Sequence, residues 1–213
     1  MATSDDPRTW RTGLVGYGEV GRILAEDLRA QGVAVAAWDL KLASPASAAP
    51  LRAHAAAHGV VLAASAADLA ASADFIVSAV TASQAVPVAA DCAPAIRPGA
   101  FFLDVNSASP GAKQRAAALV DGAGGRYVEG AVMSSMPPYR IRVPLLLGGA
   151  AAATLAPLLN TLGFDAKLAC ERLGVASATK MCRSVMIKGL EAMVIESFTT
   201  ARAYGVEDAV LAS

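Results

Sequence analysis

Along the first three quarters of the chain, short apolar runs alternate with stretches whose apolar positions recur at helical spacing. The first run, Thr12 to Val15, meets a glycine turn. Residues 19–31 follow as a predicted helix with Ile23, Leu24 and Leu28 on one face, stopped by Gly32. Residues 33–38 read as a second strand. The Ser/Ala/Pro-rich 42–50 reads as a loop, 51–58 as a helix, 60–63 as a short strand and 66–71 as a short helix. A strand over 74–80 is centred on Phe75, Ile76 and Val77. Residues 86–96 follow as a helix that tolerates Pro87 near its start. Next come a strand at 101–105, a helix at 110–120, a strand at 126–132 and, as the last strand, 145–147. A helix at 151–162 is expected to kink or start late because of Pro157. Strands alternating with helices imply a parallel sheet with right-handed crossovers. The pattern changes after Gly174. Residues 177–204 hold no proline and one glycine, Gly189, and Met181, Val185, Leu190, Val194 and Phe198 recur near helical spacing. One long helix is expected there. The boundaries predicted are 11–172 for the sheet-containing domain and 173–213 for the start of a helical one.

The glycine turn carries the first chemistry. Gly16, Gly18 and Gly21 fit G-x-G-x-x-G within Gly16-Tyr17-Gly18-Glu19-Val20-Gly21, between a strand and a helix. The first glycine permits the tight turn, the second lets a pyrophosphate approach the backbone, and the third lets helix and strand pack closely. Free N–H groups at the helix start then face the phosphates. Asp39 ends the second strand 18 positions after Gly21, close to the spacing of a ribose-binding carboxylate. It favours NAD over NADP, with Lys41 as a counter-signal that leaves NADP open. The fold expected is α/β, a Rossmann-type doubly wound parallel sheet followed by a long helix that begins an all-α C-terminal domain. Val80 and Thr81, and Asn106 and Ser107, close two further strands at the edge where ligands bind in such sheets.

Composition narrows the partners. Hydrophobic residues make up 55% of the 213 and charged residues 17%, so a large core is available, and the formal net charge is zero. No basic field serves a nucleic-acid backbone or an anionic membrane. The mean hydropathy of +0.46 comes mostly from alanine, and no apolar run is long enough to span a bilayer. Residues 1–10, with Asp5 and Asp6, lack the apolar segment of a secretory signal, and a cytoplasmic protein is expected. Cys92, Cys170 and Cys182 match no metal or redox spacing and read as reduced thiols. His54 and His58 stand at i and i+4 on a predicted helix. No further metal ligand is evident nearby in sequence, so they read as a half-exposed helix face.

With those residues in place, the chain resembles the β-hydroxyacid dehydrogenases, the group that includes 3-hydroxyisobutyrate and 6-phosphogluconate dehydrogenases. The likeness runs from about Arg11 to Tyr204. It rests on the glycine turn, on Asp104-Val105-Asn106-Ser107-Ala108-Ser109-Pro110, on Glu129-Gly130-Ala131-Val132-Met133-Ser134-Ser135, and on Gly174-Val175-Ala176-Ser177-Ala178-Thr179-Lys180. These stand where the family has, besides its dinucleotide turn, its nicotinamide-side strand end, its substrate segment and its catalytic lysine. Met133 falls at the family's substrate-segment serine, with Ser134 and Ser135 on its glycines. Ala176 replaces a glycine, and Ser184 replaces the asparagine four residues after the lysine, with Arg183 beside it. Residues 136–144 are not the usual family loop and suggest a divergent branch near the phosphogluconate dehydrogenases.

The resemblance implies an NAD(P)-dependent oxidoreductase acting on a small hydroxy acid. Lys180 is the expected general acid/base and Lys188 the second choice, about 80° further round the helix. Ser134, Ser135 and Ser184 are expected at the substrate. Arg140 and Arg142 could clamp a carboxylate, but a solvated position is the expectation for both. An imine reductase, and a dinucleotide-binding sensor without catalysis, are the alternatives. No metal is expected. Relatives of this type continue with more helices, so the chain reads as truncated or minimal, and the apolar side of 177–204 is expected to meet a second copy in a homodimer.

Overall fold

The computed structural model describes residues 5–213. By contact density the chain divides into two units, one running to Ala178 and the other Thr179–Ser213.

The first unit is built on a sheet of eight strands among the described residues: β1 (Arg11–Val15), β2 (Ala34–Trp38), β3 (Val61–Leu62), β4 (Phe75–Ser78), β5 (Phe101–Asp104), β6 (Arg126–Val132), β7 (Pro144–Gly148) and β8 (Asp165–Cys170), in the spatial order β3-β2-β1-β4-β5-β6-β7-β8. Its helices are α1 (Glu19–Ala30), α2 (Pro45–His58), α3 (Ala66–Ser72), α4 (Ala85–Cys92), α5 (Pro110–Gly122), α6 (Met136–Tyr139) and α7 (Ala152–Thr161). Strand side chains alternate between two cores. Phe75, Val77, Phe101 and Leu103 pack with Leu24 and Leu28 of α1, Leu51 of α2, and Leu155 and Leu159 of α7. Ile76 and Phe102 face the other way, onto Leu69 of α3, Val88 of α4, and Ala116 and Val120 of α5. A sheet covered on both faces requires apolar residues at every position, which is why β4 and β5 read as continuous apolar runs. The strand order reverses at β1, between β2 and β4. The crevice outside their carboxyl ends is where this architecture places ligands.

The structure departs from the sequence reading in four places. Residues 42–50 are not a loop. Asp39 caps a 3-10 turn over Leu40–Ala43, and α2 begins at Pro45, whose fixed φ and missing N–H suit a first helical position. Residues 93–95, expected to continue the helix before them, tighten into a 3-10 turn after α4. Residues 145–147 are not the last strand, since β8 follows and pairs parallel with β7. Nor is the sheet wholly parallel. Residues 133–143 are too short for a crossover, and β7 returns antiparallel to β6, with Gly130 opposite Leu147.

The long helix α8 (Val175–Tyr204) starts at the end of the first unit and makes up most of the second. Gly205, at φ +68°, turns the chain, and the Val206 N–H closes onto the Ala201 carbonyl at 3.0 Å. The short α9 (Glu207–Leu211) follows, tied back by Arg202 Nε to Glu207 Oε1 at 2.9 Å. Among the described residues, no helix is long and apolar enough to cross a membrane.

Candidate dinucleotide site

The glycine turn is built as its spacing implies. Gly16 sits at φ +94°, where a Cβ would run into the Ala79 carbonyl, and its N–H is held by the Trp38 carbonyl at 2.9 Å. A Cβ on Gly21 would collide with the Gly16 carbonyl oxygen. Gly18 differs, because beyond its own chain neighbours no protein atom lies within 4 Å of where its Cβ would be. Two glycines are therefore required by the fold, and the middle one opens the backbone outward. Gly18 also caps α1 without a side-chain hydrogen bond, so the first-turn N–H groups around Glu19, Val20 and Gly21 point out at the positive end of the helix. A pyrophosphate fits this cradle.

Asp39 stands at the end of β2. Its Oδ2 accepts from the Tyr17 N–H at 2.8 Å and its Oδ1 from the Lys41 N–H at 2.9 Å. Each oxygen keeps a lone pair for a further donor. Beside it a cleft of about 370 Å³ lies between Trp38, Leu40, Arg52 and Ala63–Ala64, suited to the adenosine end of a dinucleotide. Arg52 was not a sequence candidate; its place in the cleft depends on α2 packing beside the 3-10 turn that follows β2 and beside β3.

Val80 and Thr81 follow β4, Asn106 and Ser107 follow β5, and Ser134 and Ser135 follow β6, all at the same sheet edge as the glycine turn. Asn106 is buried, and its side chain is committed to the scaffold. Its Oδ1 accepts from the Val80 N–H at 2.6 Å and its Nδ2 donates to Ser78 Oγ at 2.9 Å. Asn106 thus fixes the two strand ends beside each other, while Thr81 and Ser107 remain exposed at the edge.

Beneath Asn106 lies a buried network absent from the sequence reading. Lys113 Nζ donates to Asp104 Oδ1 at 2.8 Å and to the Asp104 carbonyl at 2.7 Å, with neither side chain exposed. The Tyr127 hydroxyl donates to Asp104 Oδ2 at 2.7 Å, and the Asn106 N–H to Oδ1 at 2.9 Å. Burial holds the Lys113 ammonium below its ordinary pKa, against the opposing pull of Asp104 and, more weakly, Glu129. Burial likewise raises Tyr127, with Asp104 adding to the shift. Glu129, also fully buried, accepts from the backbone N–H groups of Gly174 and Ser177 and so caps the first turn of α8. The nearest sequence signal was the charged residue itself, Asp104 or Glu129, set inside an apolar strand.

Arg140 keeps 43% of its side chain exposed, as expected, but it is ion-paired and not free in solvent. It sits at φ +53°, with Nε on Asp27 at 2.8 Å and a terminal nitrogen on Glu26 at 2.7 Å, and the Ile141 N–H binds Asp27 Oδ2 at 3.0 Å. These contacts hold the unusual backbone and direct Arg140 toward α1. Arg142 is exposed. In the second unit, Lys180 and Ser184 lie one turn apart on α8, and Lys188 follows a further turn on.

Residues 11–167 match the family model described as the NAD binding domain of 6-phosphogluconate dehydrogenase. The chain belongs to this family. Its relatives include a conserved hypothetical protein of Sinorhizobium meliloti 1021, 40% identical with a TM-score of 0.82, the match covering 94% of this chain and 67% of that one. A conserved protein of unknown function, described as structurally similar to 3-hydroxyacid dehydrogenases, is 30% identical with a TM-score of 0.78, over 94% of this chain and 73% of that one. An uncharacterised 28.5 kDa protein of Methanothermus fervidus is 28% identical over 68% of this chain; that stretch is 54% of its own length, so the chain spans about half of this curated relative. At lower identity the fold alone is shared. A Mycobacterium tuberculosis 3-hydroxyisobutyrate dehydrogenase solved with L-serine is 22% identical with a TM-score of 0.78, over 93% of this chain and 67% of that one. A variant imine reductase of Myxococcus stipitatus solved with NAD+ is 21% identical with a TM-score of 0.78, over the same shares. An imine reductase of that organism solved with NADP+ is 20% identical with a TM-score of 0.76, over 92% and 67%.

Proposed function

We propose that this protein is an NAD-dependent oxidoreductase of small β-hydroxy acids, with Lys180 as the general acid/base. The observation that carries the cofactor half is the cradle. Gly16 and Gly21 are locked by their neighbours, and Gly18 alone leaves the backbone open. A bound dinucleotide would supply hydride acceptor and donor chemistry toward a hydroxylated carbon or its carbonyl. The first-turn N–H groups of α1 would hold its pyrophosphate, and Asp39 would accept from the ribose hydroxyls. Thr81 and Ser107 would flank the nicotinamide side, with Asn106 keeping their strand ends in register. Lys180 Nζ takes the hydroxyl proton in oxidation and returns it in reduction, which requires the neutral amine in one direction and the ammonium in the other. Ser134, Ser135 and Ser184 hydrogen-bond the acid. Support for Lys180 is its register after Gly174 in the segment that resembles the family's lysine segment.

A carboxylate at Asp39 repels a 2′-phosphate, whereas Lys41 and Arg52 attract one. The carboxylate governs because both its oxygens are aimed by backbone N–H groups. NADH is therefore expected to bind more tightly than NADPH, and Asp39→Ala to lose roughly 10-fold or more in NADH affinity, the range for hydrogen bonds to a charged group. Fluorescence titration of both cofactors measures this, and equal wild-type affinities would remove the Asp39 argument. Turnover across hydroxy acids and cyclic imines separates the dehydrogenase from an imine reductase, which the fold of the Myxococcus enzymes keeps in view. No turnover on either panel, with NADH bound, would favour a sensor.

We also propose a homodimer through α8. Val185, Met186, Ile187, Leu190, Met193, Val194 and Ile195 are all exposed, and at 100° per residue they lie all round the helix rather than along one stripe. A helix apolar on every side is normally enclosed. Sedimentation velocity at micromolar concentration should give twice the 21.5 kDa chain mass; a stable monomer would overturn the dimer.

A further inference from the structure

The histidine pair of α2 gains a third group in the fold. Glu26 of α1 lies across from it, with His54 Nε2 at 2.9 Å from Glu26 Oε1. The rings of His54 and His58 stack at 4.5 Å between centroids and 28° between planes. One nitrogen from each ring and a Glu26 oxygen all lie within 4.8 Å of one another. The Tyr17 hydroxyl, on a fully buried ring, meets His54 Nδ1 at 2.8 Å. We propose that Glu26, His54 and His58 form a binding site for a divalent late first-row transition ion of the zinc class.

The chemistry of the three groups supports this. Two imidazoles and a carboxylate suit zinc and its neighbours, leaving a fourth position for water. Ligand atoms around a tetrahedral zinc stand about 3.3 Å apart, given bonds of about 2.0 Å. His54 and Glu26 are already near that separation, and His58, the exposed member, can close the remainder by side-chain rotation.

The surroundings of His54 set its tautomer. Without an ion, Tyr17 donates to Nδ1 and the Nε2–H donates to Glu26. On binding, the ion takes Nε2 and the neutral ring carries its one proton on Nδ1, which donates to the Tyr17 hydroxyl oxygen, so the Tyr17 contact still keeps the ring aimed. Glu26 can give Oε1 to the ion while Oε2 stays on Arg140 at 2.7 Å, and Asp27, also paired with Arg140, offsets the guanidinium charge. A Tyr17–His54–Glu26 hydrogen-bond chain has no use for His58. The stacked second histidine is what marks the cluster as a ligand set. An ion here would brace α1 against α2 directly behind the glycine turn.

The test uses the full chain, stripped with a chelator and titrated with zinc chloride by calorimetry without dinucleotide. One zinc per chain is expected, with a rise in Tm. His58→Ala and Glu26→Gln should each weaken binding by roughly 100-fold, and Tyr17→Phe by about 10-fold, as for loss of an outer partner. His58 is exposed, so His58→Ala should keep the wild-type far-UV circular dichroism, which separates lost binding from lost fold. Absence of zinc binding in the wild type overturns the proposal. So does wild-type zinc affinity in both His58→Ala and Glu26→Gln, which would place the ion elsewhere.

Discussion

Lys180→Ala is expected to bind NADH as the wild type does and to lower turnover by roughly 10²–10⁴-fold, the usual contribution of a positioned acid or base. Binding should survive because the groups proposed to hold the dinucleotide lie between Gly16 and Ser107, in the first unit, whereas Lys180 belongs to the second. Stopped-flow hydride transfer on the best substrate of the hydroxy-acid panel, with NADH affinity measured alongside, makes the comparison. A variant that keeps more than about a tenth of the rate would exclude Lys180 as the acid/base. If the rate falls and NADH affinity falls with it, the substitution has disturbed the fold and the acid/base assignment fails on that evidence. Lys188→Ala is the internal comparison. It lies about 80° from Lys180 on the same helix, and it should leave the rate near that of the wild type.

The second large effect is structural. Lys113→Met should destabilise the protein by about 3–5 kcal/mol, because removing one partner leaves the Asp104 carboxylate buried without its counter-charge. Urea denaturation gives the value. Lys113→Met combined with Asp104→Asn should recover part of the loss, since the combination removes the orphaned charge as well as the pair. No recovery would mean that Lys113 contributes through packing alone. The single substitution should also weaken NADH binding. Asp104 Oδ1 holds the Asn106 N–H as well as Lys113, and Asn106 in turn holds the Val80 N–H. A disturbance at Lys113 therefore reaches the β4 and β5 ends through two hydrogen-bonded groups.

What could be read from the chain was whatever is written in local spacing. The glycines at 16, 18 and 21, the acid at 39 and the apolar runs of β1, β4 and β5 put the glycine turn after β1 and the acid after β2, where the fold has them. The long helix was legible because 177–204 lack breakers. β8 was missed because Asp165-Ala166-Lys167-Leu168-Ala169-Cys170 holds no β-branched or aromatic residue and carries two charges. Its strand state comes from pairing with β7. α2 was shortened because proline and serine at 44–50 resemble a loop, although Pro45 is a favoured helix opener. The contacts of Arg140 with Glu26 and Asp27, and of Glu129 with Gly174 and Ser177, join residues 45 to 114 positions apart. No periodicity reports such pairs, so the direction of Arg140 and the cap on α8 emerge only from the fold.

The margins of the sheet bear on how copies of this chain meet. One margin is β3, only two residues long, and the other is β8, which carries Asp165 and Lys167 and pairs with β7 through an irregular register at Leu147 and Gly148. Short length, charge and irregularity are the means by which sheets refuse a further strand. Two chains drawn together by apolar surface therefore have little opportunity to zip their sheets into a ribbon. In the proposed dimer, association would be channelled away from backbone pairing, and a concentrated solution of this alanine-rich protein should resist fibre formation.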